Sequence, residues 1–211
     1  MIDITPSGKG PMILKGLDVP PMKPASVLFL FFLYSFAGWI WESCYVSLHT
    51  RRWTNRGFLR GPFLPIYGFG ALLITALFTP FATHPLLLFL AGMASATVLE
   101  YGTGVSLERM FHQRYWDYSR FPFQLHGYIS LYSSLWWGFS SLLLVRSLHP
   151  LATSWVRTLP AGTVILFTSL LLVLESIDLL HSLHRTLPAH LSTADTPADP
   201  FLSTCFRPLP F

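Results

Sequence analysis

Residues 27–48 read VLFLFFLYSFAGWIWESCYVSL, an apolar run interrupted by a single acidic residue, Glu42. In a helix, about 20 residues of this kind cross the hydrocarbon core of a bilayer. The pattern recurs in LLLFLAGMASATVLEYGTGVSL (86–107), which carries Glu100, and in AGTVILFTSLLLVLESIDLLHSL (161–183), which carries Glu175. Each glutamate stands roughly two thirds of the way along its run. Two further apolar stretches, 64–82 and 128–146, lie between them. The first, third and fifth segments therefore run in the same direction, and the three carboxylates share one layer of the membrane. A charge at that depth costs about 2.5 kcal/mol or more, so it marks a site turned toward the protein interior.

Working outward, the sequence predicts an all-α, polytopic integral membrane helix bundle. It has about five transmembrane helices, at 26–48, 64–82, 85–107, 128–146 and 161–183. The composition agrees: 52% of the 211 residues are hydrophobic and 11% are charged, and the mean hydropathy is +0.48. A soluble domain carries about 25% charged residues. Prolines stand at the segment boundaries, among them Pro24, Pro65, Pro85, Pro150, Pro160 and Pro188, as expected of a residue without an N–H. Residues 1–25 read as a flexible Pro/Gly-rich tail without the apolar core of a cleavable signal. Residues 26–184 form the transmembrane domain, and 185–211 form a disordered tail. The stretch 147–160, with Trp155 and Arg157, fits an interfacial segment.

Arginine sets the orientation. Arg51, Arg52, Arg56 and Arg60 lie in one connection and Arg109, Arg114 and Arg120 in another, on the side of Arg185 and Arg207. Lys9, Lys15, Lys23, Arg146 and Arg157 lie on the other side. The positive-inside rule places the C-terminus in the cytoplasm. A weak parallel repeat also shows: Glu42 precedes Val46-Ser47-Leu48, and Glu100 precedes Val105-Ser106-Leu107, each followed by an Arg/aromatic loop and another helix.

Three roles fit the carboxylate layer: carrying protons or cations, binding a divalent metal, or pairing with arginines folded in from the loops, with Arg56 and Arg114 as partners. On the fifth segment Glu175, Asp178, His181 and Arg185 recur at helical spacing. Asp178 with His181, and Glu108 with His112, have the spacing of shared metal ligands, although each pair equally reads as a polar face near a helix end. The remaining histidines read as solvated. A candidate loop site comprises Asn55, Arg56, Gly57, Tyr67 and Gly68, in a Gly/Pro-rich run able to fold back into the protein, together with Trp116, Asp117 and Tyr118. Arg114, Asp117 and Arg120 could grip a lipid headgroup. Cys44 and Cys205 make no disulfide framework. No P-loop, nucleophile elbow or zinc-protease motif occurs, so no catalytic residue or cofactor is assigned and a conventional hydrolase is not supported, while an intramembrane lipid-active enzyme stays open; the arginines clustered in short loops read as a topology signal, so no nucleic-acid partner is expected.

Several of these runs belong together. Gly38-Trp39, Glu42 and Tyr45, then Asn55-Arg56-Gly57-Phe58, Gly61-Pro62 and Pro65-Ile66-Tyr67-Gly68-Phe69-Gly70, resemble the bacterial Putative ABC-transporter type IV (ABC transporter permease) family. Glu100, Glu108, Trp116-Asp117-Tyr118-Ser119, Phe123, Gly127 and Trp137-Gly138 continue the resemblance, which covers roughly residues 28–150. The family pattern has Cys where Leu64 stands, and Asn and Lys where Gln124 and His126 stand. The resemblance implies a small inner-membrane transport component without its own ATPase, an oligomer or a partner of ATPase subunits. Glu42, Glu100 and Glu175 would then line a polar site, with Arg56 and Arg114 as gating or neutralising partners. Two other readings of the same residues are an intramembrane lipid-active or lipid- or metal-binding protein, and a structural or regulatory subunit.

Overall fold

The computed structural model describes residues 22–191. The expected tails, with Lys9, Lys15, Cys205 and Arg207, lie outside the described residues apart from the ends nearest the helices. The helices are α1 (Pro24–Thr50), α2 (Pro65–Phe78), α3 (Pro85–Phe111), α4 (Leu131–Leu143), α5 (His149–Thr158) and α6 (Ala161–Leu191). A 3-10 turn, Thr79–Phe81, ends α2, and a π-turn, Leu144–Leu148, joins α4 to α5. Gln124–Leu125 (β1) and Ile129–Ser130 (β2) form a small antiparallel hairpin before α4.

Proline at the first turn starts α1, α2 and α3, where its missing N–H is an orphan in any case. Both long helices α1 and α3 stop on a left-handed residue, Arg51 (φ 53°) and His112 (φ 50°). The α4 start is a capping box: the Ser130 side chain accepts from the Ser133 N–H, and the Ser133 hydroxyl takes the Ser130 N–H. Two boundaries differ from expectation. Pro150 does not end the fourth helix. Its ring clashes with the carbonyl four residues back in regular α geometry, and the π-turn immediately before it widens the helix there, so the run continues to Thr158. Residues 147–158 are thus the continuation of α4, although 147–160 suggested a separate segment. Likewise α6 runs on to Leu191, past the expected end at Leu183.

Three helices are long and apolar enough to span a bilayer: Pro24–Thr50, Pro85–Phe111 and Ala161–Thr186, with mean hydropathies of 1.6, 1.4 and 2.0. At 27 residues, α1 and α3 extend about 40 Å. Pro65–Phe81 is apolar but shorter. Burial also follows the membrane pattern. Ser35, Ser43 and Ser141 are fully enclosed, while Leu86, Val98, Leu166 and Leu180 stand at the surface. Small residues between helices and large apolar ones outside are what lipid, not water, selects.

α1 pairs with α2, α2 with α3, and α3 with α4. At the end where α1 begins, α5 and α6 close against α1. There Leu30, Tyr34, Ile74, Leu88, Leu144, Val145, Val156 and Val164 form the core, and Tyr34 Oη meets His149 Nδ1 at 2.8 Å. At the opposite end α1 and α4 separate. The gap between them is bridged by the stacked rings of Trp41 and Trp136, 5.1 Å apart.

Candidate functional site

The separation of α1 from α4 leaves a cavity of about 300 Å³. It lies at the end of the bundle that carries the two long connections. Its walls include Trp41, Glu42, Tyr45 and Val46 of α1, Ile66 and Tyr67 of α2, and Glu100 of α3. Ser133, Trp136 and Trp137 come from α4, and Arg56 and Arg114–Tyr118 from the connections.

Glu42 is placed by a glycine one turn earlier. A Cβ on Gly38 would strike the Tyr67 ring, so only glycine lets that ring lie across α1. Lying there, Tyr67 donates its hydroxyl to Glu42 Oε1 at 2.9 Å. Gly68 packs as closely, against Phe31 and Ser35, and holds the start of α2 against α1. Arg56 reaches Glu42 Oε2 from the first connection, Nε to oxygen 3.5 Å. That connection is itself fixed. Trp39 Nε1 donates to Asn55 Oδ1, Asn55 Nδ2 donates to the Arg60 carbonyl at 2.8 Å, and Leu64 N–H donates to the Ser35 carbonyl at 3.0 Å. Gly57 turns it with φ 109°, a left-handed value open to glycine.

Glu100 is 6% exposed. Its Oε1 accepts the Tyr118 hydroxyl at 3.1 Å, and its Oε2 is buried without a hydrogen-bond partner. Burial, and then the nearby Glu100 and Glu42 charges, hold the Tyr118 phenol well above its ordinary pKa, so it remains a donor. Burial pushes Tyr115, beside it, up to about 12. The second connection is as ordered as the first. Trp116 Nε1 donates to the Tyr128 carbonyl at 2.8 Å, and Asp117 Oδ1 accepts from the Ser119 N–H at 2.9 Å. Tyr118 N–H donates to the Gly127 carbonyl at 2.8 Å.

The other expected site residues make different pairings, and of the acidic residues and arginines among them Arg114 and Asp117 line the cavity. Arg114 pairs with Glu108, Nε to Oε2 2.9 Å, and lies 3.9 Å from Asp117. The Glu108 hydrogen bond holds its guanidinium above the ordinary value. Glu108 also accepts the Tyr128 hydroxyl at 2.7 Å. Glu175 does not line the cavity, and its Oε1 is buried without a hydrogen-bond partner. Asp178 accepts from the Gly61 N–H at 2.8 Å and the Arg60 N–H at 3.3 Å, while Arg60 Nη1 contacts His181 Nε2 at 2.8 Å. The polar stripe of α6 thus fastens the first connection to the bundle. Among the described residues no group of three His, Cys, Asp or Glu could hold a metal ion, so neither Asp178–His181 nor Glu108–His112 gains a third ligand.

A family model described as Putative ABC-transporter type IV matches residues 29–183. The chain belongs to that family. Neither a curated protein nor a solved structure matches it. The match covers the described bundle from α1 into α6, so this Putative ABC-transporter type IV protein has both its connections and its cavity inside the family region. It is a membrane protein of transporter-like type. Sequence reasoning missed Trp41, Trp136, Tyr132 and Ser133 as wall residues of this family member. The signal was available in part: Trp41 adjoins Glu42, and Trp136 adjoins the Trp137-Gly138 run. Aromatics at these positions read equally well as interfacial anchors.

Proposed function

We propose that this chain is a transport component of the bacterial inner membrane, an ABC-type permease-like subunit that relies on an ATPase partner, with the cavity as its solute site. The observation that carries the reading is Glu100: a carboxylate enclosed in the bundle, facing a cavity, with one oxygen unpartnered. What sets Glu100 apart from Glu175, which also has an unpartnered oxygen, is that Glu100 lines the cavity. Arg51, Arg52, Arg56, Arg60 and Arg114 belong to the connections at the cavity end and Arg109 to the last turn of α3 beside them, which supports a cytoplasmic position for the cavity mouth. Glu42, Glu100 and Arg56 are the site residues, with Tyr67 and Tyr118 orienting the carboxylates. Asn55, Gly57 and Gly68 shape the first connection, and Trp116 and Asp117 shape the second. Asp178 and Arg114 are assigned to holding the connections to the bundle, and Glu175, outside the cavity, is given no role. A bundle this small makes a thin wall for a pathway, so the working unit is an oligomer or a larger complex.

The test is gentle purification from the native membrane followed by native mass spectrometry. A nucleotide-binding subunit in stoichiometric amount is expected, and a homo-oligomer alone would sink the ABC assignment. Glu100→Gln is expected to abolish transport while folded protein stays in the membrane. Loss of the folded protein instead would make Glu100 structural. One observation favours a second reading, lipid binding: Trp41 and Trp136, which bridge the gap between α1 and α4, are 48% and 42% exposed. A stoichiometric co-purifying lipid would support it.

A further inference from the structure

The cavity walls can be balanced charge by charge. Glu42 is opposed by Arg56 at 3.5 Å. Arg114 is opposed by Glu108 at 2.9 Å and Asp117 at 3.9 Å. Glu100 is different: its neighbours are neutral donors, Tyr118 bonded to Oε1 and the Trp137 and Ser133 side chains close by, and the enclosed Oε2 has no ion-pair partner and no donor in hydrogen-bonding geometry. An enclosed carboxylate oxygen gains by meeting a positive group and loses by meeting an anion.

The rest of the wall restricts what that positive group can be. Hard metal cations demand several oxygen ligands, about six to eight for calcium. Here Trp41, Trp136, Trp137, Tyr67, Tyr118 and Tyr132 dominate, and no three metal-binding side chains converge among the described residues. Aromatic rings attract organic cations through their negative faces, and walls of this kind are the general means of holding substituted ammonium groups. The volume of about 300 Å³ lies at the lower end of small-molecule sites, about 300–1,000 Å³.

We propose that the cavity binds a small organic monocation, an amine or quaternary ammonium group whose charge is balanced by the enclosed Glu100 carboxylate while its substituents pack against the tryptophans and tyrosines. The proposal deepens the transport reading and rests on the cavity being the solute site. The ammonium can belong to a free solute or to a lipid headgroup entering between α1 and α4, and the chemistry recognised is the same.

The experiment is isothermal titration of the full-length protein in detergent with tetramethylammonium, tetraethylammonium and choline. Alongside run 3,3-dimethylbutan-1-ol, the uncharged isostere of choline, and 3,3-dimethylbutanoate as an anion of similar shape. Saturable binding of at least one cation is expected, with the neutral and anionic analogues at least tenfold weaker. Glu100→Gln should weaken the cation at least tenfold and leave the neutral analogue unchanged. The isostere comparison uses wild-type protein, so it decides the matter even if the variant misfolds. If no free cation binds but dihexanoyl-phosphatidylcholine does, and dihexanoyl-phosphatidylglycerol does not, the ammonium chemistry stands and the source is a lipid headgroup. Equal binding of the neutral or anionic analogue, or no binding by any ammonium compound, overturns the proposal. Co-purification of an ATPase is read separately, so a transporter that takes no ammonium and an ammonium binder that is no transporter give different results.

Discussion

Gly38→Ala is the sharpest test of how the site is built. The added methyl falls on the Tyr67 ring, which must move off α1. Overpacking of this kind costs about 1–3 kcal/mol. A displaced ring carries its hydroxyl away from Glu42 Oε1, now at 2.9 Å, and a hydrogen bond to a charged group contributes about 1.5–3 kcal/mol. Against this, replacing a helical glycine by alanine stabilises by about 1 kcal/mol. The net expectation is a loss of roughly 1.5–5 kcal/mol. Gly102 is the matched control, a glycine of α3 with nothing within 4 Å of a built Cβ. There alanine should be neutral or stabilise by up to about 1 kcal/mol. Both variants are measured by SDS-induced unfolding in mixed micelles, followed by tryptophan fluorescence. A second leg adds Tyr67→Phe to each background. In the wild-type background it should cost about 1.5–3 kcal/mol, and in Gly38→Ala almost nothing, because the hydroxyl has already left Glu42. The reasoning fails if Gly38→Ala is as stable as Gly102→Ala, or if Tyr67→Phe costs the same in both backgrounds.

Further outcomes follow from the same geometry. Removing Arg56 alone leaves Glu42, half-buried, without this cation, so Arg56→Gln should destabilise by about 1 kcal/mol, and adding Glu42→Gln should recover most of the loss in the same unfolding assay. Asp178→Ala frees the Gly61 and Arg60 amides, and limited trypsin digestion should then cut at Arg60 several-fold faster; an unchanged rate would mean that α6 does not hold the connection. Tyr115 has a raised pKa of about 12, so the stability it contributes is complete below pH 10 and is lost as the pH rises from 10 toward 12. Tyr115→Phe should flatten that alkaline decline in thermal-melt midpoints.

Much of the candidate site was legible from residue types. Glu42 and Glu100 stood out because a charge among apolar residues needs a reason. Asn55-Arg56-Gly57 and Tyr67-Gly68 stood out because glycine and proline restrict or free the backbone locally. Tyr118 could be named, but its bond to Glu100 could not, since the two meet across a connection whose path depends on the His126–Gly127 turn, both residues left-handed. Arg114 was expected to partner the carboxylate layer; it lines the cavity with Glu42 and Glu100 but pairs with Glu108, four residues C-terminal to Gly104, whose bare backbone admits Tyr128 and Trp116.

By itself the sequence determined which segments are helical, because hydropathy and helix rise are local and act along one axis, and the same argument supplies the expected depth of each carboxylate. What faces what was decided only in the tertiary structure. Rotation of each helix about its axis depends on close contacts between distant segments: Gly38 under Tyr67, Gly92 under Ser141, Gly138 under Phe89. Those contacts turn Glu42 and Glu100 into one cavity and leave Glu175 outside it, at the same expected depth. The passage of the fourth helix through Pro150 is likewise a tertiary outcome. A π-turn there lets α5 close against α1 at one end of the bundle, while at the other end the cavity lies behind the stacked rings of Trp41 and Trp136.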